Sequence, residues 1–183
     1  MKKLLISTYF FTGLLTCAAA SAQVYIGGSV GRYNWDAACV GISCKTSDTG
    51  FSVFGGYQIN STIAAELSYK DTGTLHTTGS SAGNLPTDVK GKSLAISALA
   101  NAPIYQDLSA FAKFGIGYMR AEIRNGALGN FDHSSWQPVL GVGLNYKLNK
   151  NLTLRGEVES QKFDMSYSKK SMLGYSAGLQ YAF

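Results

Sequence analysis

From Val24 onward, apolar residues alternate with small or polar ones in segments of about ten, a period of two that argues for strands with two different faces. Phe51, Val53, Gly55, Tyr57 and Ile59 share one face, and Ser52, Phe54, Gly56 and Gln58 the other. After the polar turn Asn60-Ser61-Thr62, Ile63, Ala65, Leu67 and Tyr69 oppose Ala64, Glu66, Ser68 and Lys70, completing a hairpin. The alternation resumes with Leu94, Ile96, Ala98 and Ala100. It continues with Ala110, Ala112, Phe114, Ile116 and Tyr118, and then with Trp136, Leu140, Val142, Leu144, Tyr146 and Leu148. Leu152, Leu154 and Val158 follow the turn Asn149-Lys150-Asn151, and Leu173 to Phe183 closes the chain. With the less decisive segment Val24 to Tyr33 there are eight strands. Long connections at about 34–49, 71–90, 121–134 and 160–170 alternate with short ones at 60–62, 101–107 and 149–151. This predicts an all-β, eight-stranded antiparallel transmembrane β-barrel of up-and-down topology.

The second face decides between a barrel in lipid and a soluble sandwich or lipocalin-like barrel. A sandwich turns a charged face to water, whereas here that face is crowded with Gly, Ser and Ala, as a narrow closed lumen requires. The apolar face carries Tyr57, Tyr69, Tyr118, Trp136, Tyr146, Tyr175 and Tyr181 near strand ends, which suits two aromatic girdles. Five charged residues within strands, Glu66, Lys113, Arg155, Glu157 and Glu159, all have the small-residue parity, predicting a paired polar network inside the barrel.

Composition adds the destination. Lys2 and Lys3, the apolar run Leu4 to Leu15 and the small residues Ala18 to Ala22 form an export signal over 1–22, leaving a barrel domain of 23–183. A lipidated Cys17 is the competing reading, with Thr16 where a smaller residue is usual. The net charge of +5 falls to +3 when Lys2 and Lys3 leave, and the remainder is scattered, which gives a nucleic-acid partner no basic patch. Cys39 and Cys44, in an exported chain and far from His76 and His133, read as a small disulfide loop rather than a metal site.

Val24-Tyr25-Ile26-Gly27-Gly28-Ser29-Val30-Gly31, Phe54-Gly55-Gly56-Tyr57, Phe114-Gly115-Ile116-Gly117-Tyr118, Gly141-Val142-Gly143-Leu144 and the terminal Tyr181-Ala182-Phe183 resemble the outer-membrane protein A-like β-barrel family. That family includes the small opacity-type surface proteins of Gram-negative bacteria. The resemblance implies an outer-membrane location, with loops extracellular and termini periplasmic. It also implies that Tyr181 and Phe183 form part of the signal read by the outer-membrane assembly machinery. Larger members carry a peptidoglycan-binding domain, which is not expected here.

A barrel with a filled interior acts at its rim or by its presence, so the expected role is structural or surface-interacting, an adhesin-like one included, with Trp35 the candidate loop contact. The expected partners are outer-membrane lipids, lipopolysaccharide and the assembly machinery, with any host ligand unidentified. A narrow gated channel is one alternative. The other is a lipid A hydrolase: His133 and Ser135 resemble the His-x-Ser arrangement of outer-membrane lipid A deacylases, but Lys147 stands where a carboxylate should orient the base. No cofactor is implied, because the scattered aspartates lack calcium-loop spacing and Gly27 to Gly31 lacks a phosphate-loop lysine.

Overall fold

The computed structural model describes residues 23–35, 43–44, 47–78, 87–125, 129–165 and 168–183. Its strands are β1 (Val24–Trp35), β2 (Ser43–Cys44), β3 (Ser47–Gln58), β4 (Ile63–Thr78), β5 (Thr87–Pro103), β6 (Leu108–Asn125), β7 (Gly129–Lys147), β8 (Leu152–Met165) and β9 (Ser168–Ala182). The sheet runs β2-β4-β3-β1-β9-β8-β7-β6-β5, and pairing of β4 with β5 closes it. All pairings are antiparallel, and the two-residue β2 is an appendage on β4, so the barrel has eight staves.

Three tight turns and both described chain ends lie at one end, called the near end. Two of these turns are built alike. Asn60 Oδ1 accepts the backbone N–H groups of Thr62 (2.9 Å) and Ile63 (2.8 Å). Asn149 Oδ1 does the same for Asn151 (2.9 Å) and Leu152 (2.8 Å). An asparagine that caps its own turn pins the hairpin register, and with a period of two the register decides which side chains face lipid.

The outward face is an apolar band, with Ile96 60% and Phe114 68% exposed. On β7, Tyr146 and Trp136 are ten residues apart, about 34 Å along the strand and about 26 Å along the axis at the usual tilt, close to the ~25 Å apolar height of an outer-membrane barrel. A far aromatic row crosses four strands in direct register, Tyr69, Leu94, Tyr118 and Trp136, with the Tyr118 and Trp136 rings 5.3 Å apart.

The inward face fills the lumen in three levels. Nearest the termini, Tyr25, Phe54, Ala64, Leu99 and Phe111 form an apolar floor. A layer of charged side chains lies above it, and beyond that Tyr33, Met119, Val139, Gln161 and Met172 are each no more than 2% exposed. Each inward ring sits on a glycine directly across the ladder: Tyr25 on Gly56, Phe54 on Gly27, Phe111 on Gly143 and Tyr33 on Gly174. A Cβ on Gly27 would lie 2.5 Å from the Phe54 ring, so these glycines create the space that the rings occupy.

Two expectations require correction. The connections expected at 71–90, 121–134 and 160–170 are largely strand: β4 continues to Thr78, β5 starts at Thr87, β6 and β7 reach Asn125 and Gly129, and β8 and β9 reach Met165 and Ser168. Above the apolar band the outward positions turn polar, and Leu75, Val89, Ile123 and Phe131 stand in one cross-strand row on the other parity, so the alternation continues with its polar face outermost. The Cys39–Cys44 disulfide is also withdrawn. Among the described residues no cysteine is paired; Cys44 lies in the extended β2, opposite Thr77, rather than in a closed loop tip, and Cys39 is outside the described residues.

The far end is not a closed cylinder. The β7–β8 ladder stops at Val139 and Gln161, beside Pro138, so that β7 from Gly129 to Pro138 pairs with β6 alone. Proline lacks an N–H and is tolerated in a sheet where that side faces an unpaired edge. The β3–β4 ladder stops at Phe51 and Asp71. There a register shift between Asp71 and Thr74 contains Gly73 at φ +79°, a left-handed conformation that suits glycine. Asp71 Oδ1 accepts the Gly73 N–H (3.0 Å) and Asp48 Oδ2 accepts the Thr74 N–H (2.7 Å). The regular ladders at the rim thus run β4 to β7 and β8, β9, β1 and β3, with the Asp48–Thr74 hydrogen bond joining β3 to β4.

Candidate functional site

The charged layer is the chemically distinctive part of the molecule. β4 contributes Glu66 and Lys70, β6 contributes Lys113, and β8 contributes Arg155, Glu157 and Glu159, each pair on one strand an even number of residues apart and so on one face. Arg155 grips Glu66 with two nitrogens, Nη1 to Oε2 at 2.6 Å and Nη2 to Oε1 at 3.3 Å, and its Nη2 also donates to Glu157 Oε2 at 2.9 Å. Lys113 Nζ lies among three carboxylates, at 2.6 Å from Glu157, 3.1 Å from Glu66 and 3.3 Å from Glu159. Lys70 pairs with Glu159, to which Gln161 Nε2 also donates at 2.6 Å. Tyr25 reaches up from the floor to donate to Glu66 Oε2 at 3.1 Å.

Three cations face three carboxylates here, and Glu66 and Arg155 are each only 2% exposed. Buried charge of either sign without a partner is costly, and equal numbers in bidentate and bridging contact offset that cost. The Arg155 guanidinium is also held between the rings of Phe54, at 4.5 Å, and Phe111, at 4.4 Å. The aromatic floor and the ionic layer therefore form one packed unit, and the lumen is a plug at this height.

The structure brings Glu66, Lys113, Arg155, Glu157 and Glu159 into one cluster and adds Lys70, which the reading of strand interiors passed over. Two signals for it were present. Lys70 has the parity of Glu66, and the other five carry one negative charge too many for a neutral lumen.

Tyr181 and Phe183 lie at the near end, half-exposed and exposed on the outer face, with rings 5.2 Å apart. The backbone of Trp35 ends β1 opposite Met172; its side chain, like residues 1–22, lies outside the described part. Of the residues expected in loops, His76 is in β4, Arg124 in β6, Asp132 in β7 and Lys169 and Lys170 in β9.

Among the described residues no base and carboxylate gather around Ser135. Its hydroxyl accepts from Gln137 Nε2 at 3.3 Å, and Lys147 lies at the opposite end of β7. The side chain of His133 lies outside the described part. Among the described residues no three His, Cys, Asp or Glu side chains converge as a metal site.

Residues 19–170 match the family model described as OmpA-like transmembrane domain. The chain belongs to this family. The barrel accordingly resides in the bacterial outer membrane, with the far rim extracellular and the termini periplasmic. Solved structures share the fold at low identity. The crystal structure of Neisserial surface protein A superposes with a TM-score of 0.70 at 18% identity, covering 90% of this chain and 100% of that one. OprG from Pseudomonas aeruginosa gives 0.61 at 14%, covering 90% and 96%. Ail, the attachment invasion locus protein of Yersinia pestis, in complex with the heparin analogue sucrose octasulfate, gives 0.57 at 18%, covering 88% and 97%. Among curated proteins none matches the sequence.

Proposed function

We propose that this outer-membrane barrel is a sealed scaffold whose work is surface interaction at its extracellular rim. The observation that carries the reading is the filled lumen: an aromatic floor, a neutral layer of paired charges and a buried upper level leave the rim as the part free to vary. Loops on a rigid frame are where recognition concentrates. The same fold serves proteins named for the cell surface and for attachment, in Neisseria and Yersinia. No hydrolase is proposed, since Ser135 lacks a described base and carboxylate.

The reading includes export through residues 1–22, with a mature start at Gln23, and insertion by the assembly machinery reading Tyr181 and Phe183. Deleting Phe183 should reduce the heat-modifiable, protease-resistant form in cells; an unchanged yield would show that Phe183 is only one more lipid-facing side chain. Trp35, at the end of β1, is the proposed anchor of a surface contact.

The rim is tested by replacing residues 36–42 and 79–86 with short Gly-Ser connections, and separately by Trp35→Ala. The barrel is expected to assemble as in the wild type while host-cell adhesion or serum resistance falls. Unchanged adhesion and serum survival with correctly assembled variants would leave a purely structural role.

A further inference from the structure

The seam beside Pro138 leaves one edge of β7 without a strand partner among the described residues, and the backbone groups of that edge have a defined direction. At the near end the Lys147 N–H donates to the Asp107 carbonyl, beside β6, at 2.8 Å, and the Leu148 N–H donates to the Leu152 carbonyl of β8 at 2.8 Å. Odd residues of β7 therefore bond towards β6 and even residues towards β8. Pro138 is even, so its missing N–H lies on the β8 side, where the ladder has already ended. Beyond it, the N–H and C=O groups of Trp136, Ser134, Asp132 and Asn130 face the seam. β8 does not pair with them, since its last residues, Lys162 to Met165, pair with β9 alone. The connections flanking the seam, 126–128 and 166–167, hold three and two residues, too few to line this edge.

The sheet that ends at this edge has two distinct faces. Leu75, Val89, Ile123 and Phe131 stand in one row across β4, β5, β6 and β7 on the lumenal parity. In the neighbouring row Lys90, Glu122 and Asp132 take the outward parity. The apolar row stops at Phe131 because β7 is the last strand of that ladder. An unpaired edge is a template for a further strand, with main-chain hydrogen bonds giving affinity and alternate side chains giving preference. Here the preferred strand has apolar residues on the lumenal side, where they continue the row, and polar residues outside.

We propose that an extended, amphipathic polypeptide segment of a partner at the cell surface docks antiparallel on β7 between Asn130 and Trp136, adding a strand to the β4–β7 sheet. A second copy in the same membrane does not fit. Related by a two-fold axis along the membrane normal, its β7 would run parallel and bring the same even residues face to face at one height, where parallel pairing needs alternate residues. The site rests on the rim being the interacting part of the molecule, and names the class of partner that it takes.

The full mature barrel in phosphatidylcholine nanodiscs is titrated with a dye-labelled peptide of alternating valine and threonine, capped by lysines, and binding is read by fluorescence anisotropy. In the antiparallel pairing the threonine N–H groups bond to β7 and the valine N–H groups face away. N-methylation of the valine amides should therefore leave binding unchanged, and N-methylation of the threonine amides should abolish it. Ser134→Pro removes an N–H that faces the seam, a change tolerated at a sheet edge. It should weaken binding of the unmodified peptide about tenfold, the worth of roughly one hydrogen bond, while Ser134→Thr should bind as wild type does. Heat-modifiable mobility checks that each variant is assembled. Equal binding of the two methylated peptides, an assembled Ser134→Pro that binds as wild type, an all-threonine peptide that binds as tightly, or no binding of the unmodified peptide would overturn the docked strand. Self-association of the barrel that excludes the peptide would overturn it in favour of a second copy. Failure of the rim reading shows separately, as loop replacements that leave adhesion and serum survival unchanged.

Discussion

Arg155→Ala is expected to lower the unfolding free energy of the barrel by about 3–5 kcal/mol, the usual cost of removing one partner from a buried ion pair. Arg155 makes three hydrogen bonds to Glu66 and Glu157, so its loss leaves two buried carboxylates sharing Lys113. It also removes the guanidinium from between Phe54 and Phe111, unpacking the floor. The measurement is a urea titration in lipid, followed by heat-modifiable mobility. The double variant Arg155→Met/Glu66→Leu leaves two cations, Lys70 and Lys113, facing two carboxylates, Glu157 and Glu159. It should recover most of the loss, because a buried pair replaced as a unit by apolar residues is often neutral. A double variant as unstable as Arg155→Ala would mean that charge balance is not what the layer supplies.

The second large effect is expected at a position with no side chain. Gly143→Leu directs a leucine into the space occupied by the Phe111 ring, its cross-strand partner. Overpacking of this kind costs about 1–3 kcal/mol, and the effect should extend to Arg155, which lies against the same ring. Phe111→Ala opens the site, so combining it with Gly143→Leu should cost less than the sum of the two. A coupling of about 1 kcal/mol or more in a double-mutant cycle is expected. Additive losses would show that the ring and the glycine do not share that space.

These two sites mark the limits of what the sequence makes legible. Period-two alternation identified the outward face because lipid imposes one chemistry on it, and Phe51, Leu67, Phe114, Leu144 and Leu179 all lie there. The interior follows rules of pairing between strands, which a one-dimensional pattern cannot express. The glycines opposite Tyr25, Phe54, Phe111 and Tyr33 read as small lumen residues, and only the register shows each to be the seat of a ring. Lys70 lies beyond Tyr69, at the end of the regular alternation of its strand, where only its parity with Glu66 and the charge count mark it as lumenal.

Above the membrane the pattern fails for a different cause. Residues such as Lys90, Arg120, Glu122 and Asp132 share the outward parity, so above the membrane the polar face is the outer one, the reverse of the band below, and β5, β6 and β7 pair through them. The ladder ends at Pro138 and at the bulge around Gly73 carried better signals, a missing N–H and a residue suited to positive φ. Without the registers of β7 and β8, neither could be assigned to a seam.

The most direct test of a sealed scaffold is the planar-bilayer conductance of the intact mature protein. The three filled levels predict no steady open state at moderate voltage, with current at the level of the bare membrane. A large, steady conductance would contradict that, and would move the protein's work from its rim into its lumen.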